Sequence, residues 1–223
     1  MNLLLMLLKG FSLLCLGFGV FVLMQVVMPV LAYKAWKITS FDESQLLADP
    51  KPKVLSGNLI GSDVLGISVE NINNFPAFVS SNGVKVSPYD EFRISVSSIG
   101  LDEKVLVNSN NFELNLSHLP GTSLPGETGN VFITGHSSIW PTFSKKQKAL
   151  LAKLPGVKKG DQVVVEASGQ KFNYEVVGIK IVDPKDVSVI NPPDEDGRYL
   201  TLMTCVPPGF NTKRLIVLAK FKP

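Results

Sequence analysis

The distribution of apolar and polar positions divides the chain into three parts. From Gly10 to Tyr33 no position is charged. At about 1.5 Å per residue such a helix spans the ~30 Å hydrocarbon layer of a bilayer. Lys9 precedes the run, Lys34 and Lys37 follow it, and Tyr33 and Trp36 stand where interfacial aromatics lie. Residues 1–37 are therefore expected to form a transmembrane helix. Val30-Leu31-Ala32 also has the small-residue spacing of a signal-peptide cleavage site, but the apolar run is long for a signal, so an uncleaved anchor is preferred. Residues 38–90 are expected to be a linker and N-terminal extension. "DPKPK" (Asp49 to Lys53) lies in its polar first half, and from Val54 to Asp90 apolar patches alternate with Gly, Asn and Ser. Short strands or a lid are expected there.

Beyond residue 91 the period shortens to that of strands. "FRISVSSIGL", "KVLV", "NVFITG", "QVVVEA", "KFNYEVVGIKIV", "YLTLMT" and "KRLIVLAKF" are short runs rich in β-branched and apolar residues, separated by Gly, Pro and Ser. "SGQ" between the fourth and fifth predicts a hairpin turn. Only Phe143 to Leu154, "FSKKQKALLAKL", has helical spacing. Many short strands with little helix predict a mainly β body over 91–223, a barrel or sandwich.

Composition adds mostly exclusions. The formal charge is +3, and the lysines between Lys145 and Lys159 have no interleaved aromatics, so no nucleic-acid partner is expected. Two histidines and one cysteine outside the anchor cannot build a zinc site. Asp194-Glu195-Asp196 reads as a solvated loop, so no metal or cofactor is expected. Calcium has no dense acidic cluster to hold it.

The cysteine count is more telling. Cys15 lies in the apolar run and reads as a filler. Cys205 then has no partner for an internal disulfide, and a leftover thiol in an exported body is either incidental or reactive. A reactive thiol needs help, because its free pKa is about 8.5 and the thiolate is the nucleophile. His118 and His136 are the two available imidazoles. His136 ends a strand after Gly135 and precedes the small Ser137, a rim position. His118 reads as a loop residue that lines a groove. Arg214 lies on the strand after Cys205, and an antiparallel pairing would bring its guanidinium beside the sulfur, to hold a substrate carbonyl or an oxyanion. Thr204 could add a hydroxyl or a backbone N–H to that task. A β-barrel binding module with an inert thiol is the non-enzymatic alternative. An L,D-transpeptidase-like enzyme would carry an arginine two residues after the cysteine, where this chain has Pro207.

The same residues carry a family resemblance. "TLMTC" (Thr201 to Cys205) resembles the sortase signature of Thr-Leu, a variable residue and Thr before the nucleophilic Cys. "PPGFNTKRL" (Pro207 to Leu215) resembles the stretch that follows it and sets the arginine at the same spacing. "LPGETGNVFITGH" (Leu124 to His136) resembles the run to the sortase histidine, and "FRISVSSIGLDEKVLV" (Phe92 to Val107) its first strands. The resemblance implies a closed eight-stranded sortase β-barrel with short helices. It implies a transpeptidase that cleaves a Leu-Pro-x-Thr-Gly-like sorting motif through a thioacyl enzyme on Cys205. His136 would be the acid and base, Arg214 the hydrogen-bonding cation, and Thr204, His118 and Ser137 oxyanion or substrate contacts. Its partners would be secreted proteins with a C-terminal sorting signal, a cell-wall peptide or pilin amine as acceptor, and the lipid bilayer, with the body outside the cell. Many sortases have an arginine or similar residue where Ser137 stands. Pilus-polymerising members often carry a second membrane segment after the barrel, whereas this sequence stops at Pro223, and their Asp-Pro-aromatic lid has only a faint echo in Asp49-Pro50-Lys51. An anchoring enzyme is thus expected over a pilin polymerase. "LPGTS" (Leu119 to Ser123) resembles a sorting motif but reads as turn chemistry.

Overall fold

The computed structural model describes residues 3–40, 67–72, 75–80, 86–111, 113–137, 148–208 and 212–223. "DPKPK" and Phe143 to Gln147 of the expected helix lie outside them. The chain forms two compact units, Met1–Asp42 and Glu43–Pro223.

The first unit is a single helix, α1 (Leu3–Ser40). Between Gly10 and Met28 it is long and apolar enough to cross a membrane, and none of that stretch is covered by protein.

The second unit opens with a hairpin of β1 (Ile67–Ile72) and β2 (Phe75–Ser80). The other strands are β3 (Glu91–Val96), β4 (Leu101–Leu106), β5 (Leu116–His118), β6 (Gly129–Thr134), β7 (Gln162–Ala167), β8 (Gln170–Val182), β9 (Arg198–Val206) and β10 (Lys213–Lys222). They close into an eight-stranded barrel in the order β10-β8-β7-β3-β4-β5-β6-β9, as the resemblance implied. Closure removes the sheet edges that an open sheet would expose.

The period-2 pattern sets the register. Along β3, Phe92, Ile94 and Val96 are buried, and Glu91 and Arg93 are exposed. Outside, Arg93 makes a bidentate pair with Asp102, Lys104 pairs with Glu91 and Lys171 with Glu166. Water screens such exposed pairs and leaves them little net attraction, so the inward row, not these ladders, holds the strands. Ser168 and Gly169 both take positive φ in the β7–β8 turn, the mirror-image geometry that two-residue hairpins need.

β6, β9 and β10 are buried almost throughout, because their outer face is covered too. Phe132, Val182, Met203 and Ile216 form an apolar cluster there with Leu119 and with Ile190 of the β8–β9 connection, and Val187 and Val189 pack against it. Asn130 ties that connection down by donating to the Ile190 carbonyl at 2.9 Å and accepting from Thr201 at 3.0 Å.

The expected helix differs. Its described end is turn up to Lys153 and then a 3-10 turn, Leu154–Gly156. Pro155 lacks the N–H that an α-helix would need there.

Candidate active site

Cys205 is the penultimate residue of β9 and lies directly across the antiparallel ladder from Arg214 of β10. Residues opposite one another share a face, with Cβ atoms about 4.5–5.5 Å apart. On its other side β9 runs parallel to β6, with Phe132 beside Thr201 and Thr134 beside Met203. Carried two residues further, that register sets His136 level with Cys205. Two bonds keep the chains together just past the strand end: Gly135 N–H donates to the Met203 carbonyl at 3.3 Å, and Thr204 Oγ1 donates to the Gly135 carbonyl at 2.8 Å. The extended register thus sets the backbone positions of His136, Cys205 and Arg214 side by side, with Cys205 in the middle. They share the outer face with Phe132, Met203 and Ile216, so the row ends on the apolar cluster below the β8–β9 connection.

Gly135 makes the turn into His136 possible. A Cβ there would come within 2.5 Å of Leu116 Cδ2 and 3.2 Å of two Leu151 atoms. The backbone packs against those leucines, and the Leu151 N–H donates to the His136 carbonyl at 2.9 Å.

Burial opposes both charges that the chemistry needs. It pushes the Cys205 thiol up, and the guanidinium of Arg214 pulls it back. It pushes His136 down, and the charge of Glu113 opposes that. Arg214 is 2% exposed and its Nη1 donates to the Lys213 carbonyl at 3.2 Å. Burial lowers its pKa while Cys205 raises it. Taking a cation out of water costs several kcal/mol, a cost easier to understand where a thiolate or oxyanion forms beside it.

The other expected contacts are placed differently. His118 does not lie on a loop lining a groove. It ends β5, is fully buried and packs edge-on to Phe92. Its Nδ1 accepts from the Asn108 N–H at 3.3 Å, which leaves Nε2–H to donate to the Ser123 carbonyl at 3.0 Å, with Thr122 Oγ1 at 2.9 Å. Its pKa is lowered to about 4, chiefly by burial. It is a neutral strut that pins the "LPGTS" loop. The Thr204 side chain alternates to the face opposite Cys205, and its buried hydroxyl is spent on Gly135, so it offers no hydroxyl to an oxyanion. Ser137 is 4% exposed, which leaves little surface for a substrate. Glu113 carried no motif, and only the folded register brings it to the site.

The sortase domain profile matches residues 94–222. The chain belongs to the sortase family. It is 31% identical over 130 residues to Sortase A of Bacillus anthracis, a match that covers 56% of this chain and 56% of the relative. The chain thus spans about half the length of that relative. Among solved structures, Sortase A from Corynebacterium diphtheriae (a lid mutant) superposes with a TM-score of 0.54 at 30% identity, covering 62% of this chain and 73% of that one. Sortase C-1 from Actinomyces oris gives 0.53 at 30%, covering 59% and 73%. Of the six residues that the sortase resemblance singled out, Cys205, His136 and Arg214 are the ones the register sets side by side.

Proposed function

We propose that this sortase is a membrane-anchored cysteine transpeptidase of the cell surface. The observation that carries the proposal is the row of His136, Cys205 and Arg214 across β6, β9 and β10. Thiolate attack by Cys205 on the threonine carbonyl of a Leu-Pro-x-Thr-Gly-like signal forms a C–S bond and a tetrahedral oxyanion. Arg214 hydrogen-bonds that oxyanion or the neighbouring substrate carbonyls. The C–N bond then breaks, and the imidazolium of His136 gives its proton to the departing glycine amine. A thioester on Cys205 and a neutral imidazole remain. The incoming amine attacks the thioester, His136 takes its proton, and the thiolate leaves. When water replaces the amine the outcome is hydrolysis, which gives the enzyme a thiol-protease activity.

α1 supports an anchor; the barrel is placed outside the cell because clients bearing sorting signals pass there. We favour anchoring of surface proteins to a cell-wall peptide amine. A pilin lysine as acceptor is the second reading, supported by the similarity to sortase C-1 structures.

The test uses the full chain in detergent micelles with a fluorogenic Leu-Pro-x-Thr-Gly peptide library, with triglycine, a diaminopimelate-like amine or a lysine-bearing pilin-type peptide as acceptor. Cleavage with amine-dependent ligation is expected, with an acyl adduct on Cys205 by mass spectrometry. Full turnover by Cys205→Ala would end the reading, and preference for the lysine peptide would replace wall anchoring by polymerisation.

A further inference from the structure

We propose that Glu113 is a positioning residue for the transpeptidation chemistry, a carboxylate that holds His136 in the charged form that donates a proton. The inference rests on the role given to His136 above.

The placement comes from backbone geometry. β5 runs antiparallel to β6 with Ser117 opposite Thr134 and His118 opposite Ile133. Glu113, three residues before β5, and His136, two residues after β6, therefore leave this antiparallel ladder at the same end. One turn then fastens both: the Lys148 N–H donates to the Glu113 carbonyl at 2.8 Å and the Leu151 N–H to the His136 carbonyl at 2.9 Å. The exposure here is inverted as well. Glu113 is half-buried, while its neighbour Leu114 is 46% exposed. A carboxylate turned in where a leucine is turned out runs against ordinary partition, unless the inward side needs the charge.

His136 is where the charge is needed. The competent state pairs a thiolate with an imidazolium, and burial disfavours both. Arg214 supports the thiolate from β10, and Glu113 supports the imidazolium from the β4–β5 connection. Among the described residues, the charged and titratable groups brought to His136 are Cys205 on β9, Arg214 one strand further, Glu113, and Lys148 at the head of the turn, which is exposed. Of these Glu113 is the anion that acts on the imidazole before the thiol ionises.

The experiment compares wild type, Glu113→Gln, Glu113→Ala and Glu113→Lys as full chains in micelles. It measures the pH profile of kcat/KM and the titration of both histidine rings by NMR with labelled histidine. The acid limb and the His136 titration should move down by roughly half to one pH unit in the neutral variants and further in the lysine variant. The plateau should fall about 3- to 10-fold, because the ion pair is populated less. The His118 ring reports whether the barrel is intact, and Ala stands in for Gln if that signal is lost. A rate loss with unmoved acid limb and unmoved His136 titration would overturn the proposal, since a purely structural role does that. If His136→Ala turns over normally, the reading of His136 fails instead. If His136→Ala is dead and the Glu113 variants titrate as wild type does, only the present inference fails.

Discussion

The two histidines of this chain lie at opposite ends of one short ladder, β5 against β6, and they have opposite chemistry. His118 is fully buried, with Asn108 and Ser123 taking its two ring nitrogens. His136, one residue past Gly135 at the strand end, is half-buried and stands level with a thiol. The first ring has nowhere to send or receive a proton without breaking a bond inside the core. The second lies past the strand end, in the field of the Glu113 carboxylate. Imidazole as a residue type decides little here. What matters is whether its nitrogens are already committed.

Exchanging the two losses tests that contrast most severely. His136→Ala should reduce transpeptidation by about 10³-fold or more, as removal of an acid–base group does, and leave the thermal midpoint within a few degrees. His118→Ala should do the reverse. It empties a buried site and strands the Asn108 and Ser123 groups, for about 2–4 kcal/mol of stability, while the protein that remains folded keeps most of its turnover. Melting curves and kcat/KM on the same preparations decide it. If His118→Ala is well folded and inactive, the strut reading of His118 is wrong.

Arg214→Lys sharpens the site from the other end of the row. A point charge on a flexible stem replaces a planar fork in a buried position. A loss of about 10²-fold in kcat/KM is expected, with the labelling of Cys205 by a thiosulfonate slowed as its thiolate loses support. Unchanged turnover would mean that charge alone suffices.

His118 also predicts an acid limit to stability. Its unfolded pKa is near 6.5 and its folded value about 4, so the unfolded chain binds the extra proton between those values. The contribution is complete above pH 6.5 and is lost as pH falls through 4, amounting to about 3 kcal/mol. Burial lowers His136 as well, with the same sign. Urea midpoints at pH 7 and 4.5 should therefore differ less in His118→Gln than in wild type. An equal drop in both would assign the acid sensitivity elsewhere.

The alternation of apolar residues was enough to foresee most barrel strands, the β7–β8 hairpin and the apolar helix. Each depends on neighbours in sequence, and Val163, Val165 and Ala167 declare their face by spacing alone. The motif around Cys205 pointed to Arg214 because β10 folds back antiparallel on β9, whereas His136 came from the separate run Leu124 to His136. β5 was not foreseen, since Leu116–His118 is three residues long and is paired by strands distant in sequence. His118 was misplaced for the same reason: the loop that encloses it, Leu119 to Ser123, looks from its Pro and Gly like exposed turn. Glu113 was invisible, because its meaning arises only where the 148–151 turn fastens two separate segments.

Thr204 gives the smallest and most specific prediction. Spacing set it beside Cys205, but strand alternation gives it the opposite face, where its hydroxyl donates to the Gly135 carbonyl at 2.8 Å. That bond links the residue before Cys205 to the residue before His136. Thr204→Val keeps the shape and the β-branch and removes only the donor, leaving the Gly135 carbonyl to find another. The expected cost is about 1 kcal/mol of stability. The rate should fall by several-fold at unchanged KM, because the thiol and the imidazole lose a shared tether and meet in the right geometry less often. Thr204→Ser should restore both. If the valine variant instead raised KM with kcat intact, the hydroxyl would be touching substrate, and the division of β9 into a chemical face and a structural face would have to be redrawn.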